Sequence, residues 1–140
     1  MSAEFLDTNI LVYAHDRTAG AKRRIAAELV NDLLRRREAV VSVQVLVEFA
    51  VTVTQKIPAR LSLARAAEII RDLSELRVVS PAAGDVLAAV DLVRRCSVSM
   101  WDAMILRAAA AGGVSVVWSE DLNDGQSYDG VEVRNPFKDS

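Results

Sequence analysis

Residues 3–13 read Ala-Glu-Phe-Leu-Asp-Thr-Asn-Ile-Leu-Val-Tyr, and the change of pattern inside that stretch sets the fold. Residues 3–6 suit a short strand. Asp7-Thr8-Asn9 are residue types that favour a helix N-cap, and Ile10, Leu11, Val12 and Tyr13 form an apolar turn after them. The order is strand, polar elbow, helix.

The same alternation continues outward. Between residues 20 and 37, Ile25, Leu29, Leu33 and the pair Val30, Leu34 keep the four-residue spacing of an amphipathic helix, and a strand at 39–42 follows. Residues 43–57 read as a largely buried helix ended by Pro58. Residues 62–76 form another, capped by Ser62. A strand at 77–79 leads to Ser80-Pro81, a cap and first helical position for a helix over 82–95. Ser99 opens a helix to residue 111, stopped by Gly112-Gly113. A strand at 114–118, a turn-rich loop at 123–130 and a short strand at 131–134 complete the chain. Helical connections of this length favour parallel pairing, so the expected fold is an α/β class, three-layer α/β/α sandwich around a central, mostly parallel sheet.

At 140 residues the chain is expected to form one domain over 1–140. Hydrophobic residues make up 51% and charged residues 26%, which excludes a chain too poor in apolar groups to fold. Cys96 is the only cysteine and His15 the only histidine, so neither an intrachain disulfide nor a Cys/His zinc site is available. The opening Met-Ser-Ala-Glu lacks the pattern of a signal peptide, which predicts a cytoplasmic protein. The most apolar stretch, residues 40–53, is interrupted by Ser42, Gln44, Glu48 and Thr52 and is too short for a membrane span. The formal net charge is -2, yet residues 17–37 hold seven basic residues against Glu28 and Asp32, a local +5. A solvated helix face and a phosphate-facing patch both fit that stretch.

Four carboxylates stand out: Asp7, Glu48, Asp102 and Asp121. Each has an ordinary structural role open to it. Asp7 can cap a helix, Glu48 can belong to a solvated stripe with Gln44, Thr52 and Gln55, Asp102 stands at capping-box spacing from Ser99, and Asp121 can form a turn. Parallel winding nevertheless draws strand ends and helix starts toward one sheet edge, where functional groups of open sheets gather. Four carboxylates within a few ångströms repel one another and call for cations, and oxygen-only ligands select a hard divalent ion such as Mg²⁺ or Mn²⁺. Two such ions would balance the four charges and leave the rest of the chain at +2. A calcium-loop pattern over 121–132 fails, because Gly125 and Gln126 stand where a ligand and the glycine belong.

The segments Phe5-Leu6-Asp7-Thr8-Asn9-Ile10-Leu11, Ser42-Val43-Gln44-Val45-Leu46-Val47-Glu48-Phe49, Trp101-Asp102-Ala103 and Val117-Trp118-Ser119-Glu120-Asp121-Leu122 follow one another in that order. Together they resemble the PIN-domain nucleases, and within them the VapC-type ribonuclease toxins. The resemblance runs nearly the whole chain, including Val133-Arg134-Asn135-Pro136-Phe137. It implies an acidic catalytic and metal site of Asp7, Glu48, Asp102 and Asp121, supported by Asn9 and Ser119, with Asp124 able to replace or assist Asp121. It also implies Mg²⁺ or Mn²⁺ as cofactor, hydrolysis of an RNA phosphodiester leaving a 5′-phosphate, a cognate antitoxin protein as partner and a homodimer. Two other functions fit the residues: phosphoryl transfer through an aspartyl-phosphate on Asp7, although Asn9 stands where its phosphatase version has a second Asp, and a catalytically silent interaction domain. His15 is expected at a helix end or surface, Cys96 as a plain thiol, and Trp101 and Trp118 in core packing.

Overall fold

The computed structural model describes residues 2–138. Its elements run β1 (Glu4–Leu6), α1 (Thr8–His15), α2 (Ala21–Arg36), β2 (Ala39–Ser42), α3 (Val43–Gln55), α4 (Leu63–Leu73), β3 (Arg77–Val79), α5 (Ala83–Cys96), α6 (Met100–Ala111), β4 (Val116–Trp118), β5 (Ser127–Tyr128) and β6 (Val131–Arg134). The strands form one sheet in the order β3-β2-β1-β4-β6-β5. All neighbours are parallel except β5 and β6, which form a terminal antiparallel ribbon. The expected three-layer α/β/α sandwich with a mostly parallel sheet is the fold observed.

Parallel strands covered on both faces are apolar on both faces. Phe5 and Leu6 of β1, Val40 and Val41 of β2, and Val117 of β4 are accordingly buried, and Val45, Phe49 and Val53 of α3 and Leu106 of α6 pack with them. The alternate α3 positions, Val43, Val47 and Val51, face outward.

Three local expectations are corrected. The loop at 123–130 contains strand β5, because Asp129 and Gly130 both take positive φ (49° and 86°) and so close a tight hairpin whose twist suits antiparallel strands. Residue 114 is not strand: its N–H closes on Ala109 O (3.2 Å) in the last turn of α6, with Gly113 at φ 75°. Helix α5 starts at Ala83, not after Ser80-Pro81, because the Asp85 carboxylate accepts the Ala82 N–H at 2.8 Å and fixes the cap there.

Topology selects one place for a site. From β1 the chain proceeds to β2 and β3 on one side, then returns to β4 on the other, so the carboxyl ends of β1 and β4 flank the switch point where such sheets open a crevice. Asp7 follows β1 directly, and Ser119 follows β4.

Candidate active site

Asp7 is the N-cap of α1 and is only 6% exposed. Its Oδ1 accepts the Thr8 N–H at 2.7 Å, and its Oδ2 accepts the Ser119 hydroxyl at 2.7 Å and Asn9 Nδ2 at 3.4 Å. Burial pushes its carboxyl up to about 6; the Ser119 and Thr8 hydrogen bonds oppose the rise, and the negative charges of Asp121 and Glu48 add to it. The donors named on this carboxylate are all neutral.

Ser119 is completely buried and sits at the hub of the crevice. While donating to Asp7, its Oγ accepts the Asp121 N–H at 3.2 Å. Asn9 adds a second bridge, with Nδ2 on Asp121 Oδ2 (3.0 Å) and Oδ1 accepting the Glu120 N–H (3.1 Å). Asp7 and Asp121, more than a hundred residues apart, are thus fastened through two neutral side chains. The expected supports Asn9 and Ser119 occupy supporting positions between them.

Glu48 reaches the crevice from α3, where Gln44, one turn earlier, donates to its Oε1 at 2.8 Å. The same Gln44 Nε2 lies 3.4 Å from the carbonyl of Trp101 at the start of α6, so one amide ties the helix of Glu48 to that of Asp102. Ser99 Oγ accepts the Asp102 backbone N–H at 3.1 Å and is therefore the cap; the Asp102 carboxylate is not needed for capping. Burial holds the Asp102 carboxyl above its ordinary range, against the Ser99 hydrogen bond, and the Asp121 charge raises it further.

Asn9, Glu48 and Asp121 line a cleft of about 310 Å³, together with Thr8, Tyr13 and Asp16. Mutual charge influence links Glu48 to Asp7, Asp7 to Asp121, and Asp121 to Asp102. The expected convergence of all four within a few ångströms is corrected in one respect: among the described residues, no three Asp, Glu, His or Cys side chains stand close enough to hold one ion. Like charges repel, and the carboxylates are held apart by neutral donors, Asn9 between Asp7 and Asp121 and Gln44 on Glu48, so the four form a string and not a closed shell.

Chemically the donors still fit a hard divalent cation. They are all oxygen, the donors on the buried Asp7 carboxylate are the neutral Thr8, Asn9 and Ser119, and the buried Thr8 hydroxyl beside it has no hydrogen-bond partner among the described residues. Asp124 does not share the cleft chemistry: its carboxylate accepts the Asn135 N–H at 2.7 Å and pairs with Lys138 at 3.3 Å, which holds its pKa below the ordinary carboxylate range. It fastens the end of the chain.

Other expectations fall out plainly. Trp101 is not in the core; it is 70% exposed beside Asp102, in the first turn of α6, where it lines a surface groove with Val43, Val47 and Met104. Trp118 packs against the core and donates to Glu4 Oε1 at 2.7 Å. His15 ends α1 with its ring edge-on to Phe49, and burial followed by the charges of Arg65 and Arg23 lowers its pKa. Cys96 is a free thiol at the end of α5. Much of the basic stretch is internally neutralised on α2, where Asp32 pairs with Arg35 and Arg36 and Glu28 with Arg24. Sequence alone did not single out Gln44 as a link, although its i, i+4 spacing to Glu48 was the available signal.

A parallel α/β/α sandwich with a carboxylate-lined cleft at its switch point defines the class of protein. The chain belongs to the PIN-domain family, whose model matches residues 5–123. Solved structures share the fold. VapC20 of Mycobacterium tuberculosis, a sarcin-ricin loop cleaving toxin, superposes with a TM-score of 0.67 at 19% identity, covering 82% of this chain and 87% of that one. A toxin-antitoxin complex from Klebsiella pneumoniae gives 0.70 at 21% identity, covering 97% and 98%. DNA-bound VapBC from Salmonella typhimurium gives 0.66 at 20%, covering 97% and 99%. No curated protein sequence matches the chain.

Proposed function

We propose that this chain is a Mg²⁺- or Mn²⁺-dependent endoribonuclease, the toxin of a toxin-antitoxin pair. The observation that carries the reading is the buried Asp7 carboxylate joined through Ser119 and Asn9 to Asp121, with the Glu48 charge acting on Asp7 and that of Asp121 on Asp102. Asp7, Glu48, Asp102 and Asp121 would hold the metal, with the open string they form here drawing together around it. A bound divalent ion supplies acidified water and stabilises charge on the phosphoryl oxygens.

The chain's own residues divide the remaining work. Asp7 and Asp121 are fixed by two bridging side chains and set a rigid base for the site. Glu48 and Asp102 approach from separate helices and adjust to what the cleft binds. Four uncompensated carboxylates would repel a polyanion, so RNA binding and metal binding are coupled. Attack by Asp7 itself on a phosphate is disfavoured, because both its oxygens already accept hydrogen bonds from Thr8, Ser119 and Asn9.

Solved relatives of this fold include toxin-antitoxin complexes, which supports a cognate antitoxin protein as partner. Val43, Val47 and Val51 form an exposed row along α3, near exposed Trp101, and support a homodimer. No helix among the described residues is long and apolar enough to cross a membrane, and we place the protein's action in the cytoplasm, where its RNA substrate is found. The test is cleavage of structured and single-stranded RNAs by purified protein with Mg²⁺, Mn²⁺ or EDTA. Cleavage with either metal and none in EDTA is expected; full activity in EDTA sinks the proposal.

A further inference from the structure

Asn9 and Tyr13 are four residues apart on α1 and rise from one face of it. Both grip the loop that follows β4. Asn9 takes the Glu120 N–H and donates to the Asp121 carboxylate. Tyr13 donates its hydroxyl to Glu120 Oε1 at 2.6 Å. The second Glu120 oxygen pairs with Lys22 of α2, whose ammonium also lies 5.0 Å from the centre of the Tyr13 ring and 5.6 Å from that of Phe137. Phe137 is buried and stands edge-on to Tyr13 at 5.2 Å, which keeps the phenol from swinging away.

The consequence lies in the contrast between neighbours in the chain. Asp121 lines the acidic cleft, whereas Glu120 does not and is held back by the hydroxyl of Tyr13, in the cleft wall, and by the ammonium of Lys22. A loose Glu120 would compete with Asp121 for the same position and add a fifth negative charge to the cleft. We propose that Tyr13, Lys22 and Glu120 are positioning residues that clamp the 119–121 loop onto α1 and thereby set where the Asp121 carboxylate stands relative to Asp7. Its effect on metal binding rests on the nuclease reading above.

The experiment compares wild type with Tyr13→Phe, Glu120→Gln and the charge swap Lys22→Glu with Glu120→Lys. Two readouts are taken: hydrogen exchange of the Glu120 and Asp121 amides in EDTA, and Mn²⁺ affinity by titration calorimetry. Tyr13→Phe and Glu120→Gln should speed exchange of both amides while β1 and β4 stay protected, and should weaken Mn²⁺ binding by about tenfold, the usual scale for residues that orient a ligand from behind. The charge swap should recover most of both losses. Wild-type protection and affinity in both single variants would overturn the clamp, and a swap no better than Glu120→Gln would remove Lys22 from it. If wild type neither binds Mn²⁺ nor cleaves RNA, the nuclease reading falls, and amide exchange alone still decides whether the loop is clamped.

Discussion

Replacing Asp7 with asparagine should stabilise the metal-free protein at neutral pH, although the residue is the centre of the site. The sign follows from linkage. Burial raises the folded-state carboxyl from 3.8 to about 6, so between those values the folded chain holds a proton that the unfolded chain has released. Stability from this group is full below pH 4 and is lost as pH rises through 6. The displacement corresponds to about 3 kcal/mol, of which about 2 kcal/mol falls between pH 4.5 and 8. The substituted asparagine carries no charge to desolvate. Its carbonyl keeps the Thr8 N-cap bond, while its amide meets the Ser119 hydroxyl, which must reorient to accept; that exchange costs about 1 kcal/mol. The expected net gain at pH 7.5 is about 1–2 kcal/mol, a rise of roughly 3–6 °C in Tm for a chain of this size.

Urea unfolding of both proteins in EDTA at pH 4.5, 6 and 8 measures this, because titrating groups remote from Asp7 are shared and cancel in the difference, leaving Asp7 and its charge influence on Asp121 and Glu48. The advantage of Asp7→Asn should grow with pH and level off above 7. Added Mg²⁺ should invert the order by stabilising wild type alone. A difference that stays flat with pH would refute the buried, charge-crowded carboxylate. A variant less stable than wild type at pH 8 in EDTA would show that the hydrogen bonds on Asp7 outweigh its desolvation.

Asp102→Asn should abolish RNA cleavage yet melt in EDTA at or slightly above the wild-type temperature, since Ser99 caps the backbone N–H that asparagine also possesses; wild-type cleavage in Mg²⁺ would remove Asp102 from the site. Val47→Asp should convert a dimer to a monomer by light scattering at micromolar concentration, with stability changed by no more than about 0.5 kcal/mol because Val47 is exposed in the monomer. A wild-type monomer throughout that range would dispose of the dimer.

The mostly parallel sheet and the strand-end acids were legible because both follow from local patterning: apolar runs broken by Asx and Ser caps locate the ends of β1 and β4, and parallel winding draws such ends toward one edge; the strand order itself has no local signal. Asp7, Asn9 and Ser119 lie at such ends and are in hydrogen-bond contact, although only the family resemblance, not the patterning, singled out Asn9 and Ser119. The Asp129-Gly130 hairpin is hidden inside a polar loop, since only two residues, Ser127 and Tyr128, pair there ahead of the turn and give no periodicity. Trp101 escapes the sequence for a different reason. Residue type reports the tendency to be buried, but Trp101 stands exposed in the first turn of α6, at the wall of an open groove with Val43 and Val47 of α3. Tyr13, Lys22 and Glu120 carried no signal, because their meeting depends on α1, α2 and the β4 loop being adjacent in space.

Sequence also could not separate the fixed half of the site from its adjustable half. Asp7 and Asp121 are immobilised by Ser119 and Asn9, both supplied by the elbow of β1 and the end of β4, which are parts of the rigid sheet edge. Glu48 and Asp102 ride on α3 and α6, and Gln44 is the side chain that touches both helices, through the Glu48 carboxylate and the Trp101 carbonyl. Because a glutamine amide has two N–H donors and one acceptor, Gln44 can release either partner without leaving a buried charge. Repulsion within the acidic string is therefore relieved at Glu48 and Asp102, which are half exposed, and at Asp121, which is exposed, while burial keeps Asp7 alone under strain. That division explains how a cluster of like charges coexists with a stable fold, and it assigns to the centre, Asp7, the pH dependence that unfolding experiments should detect.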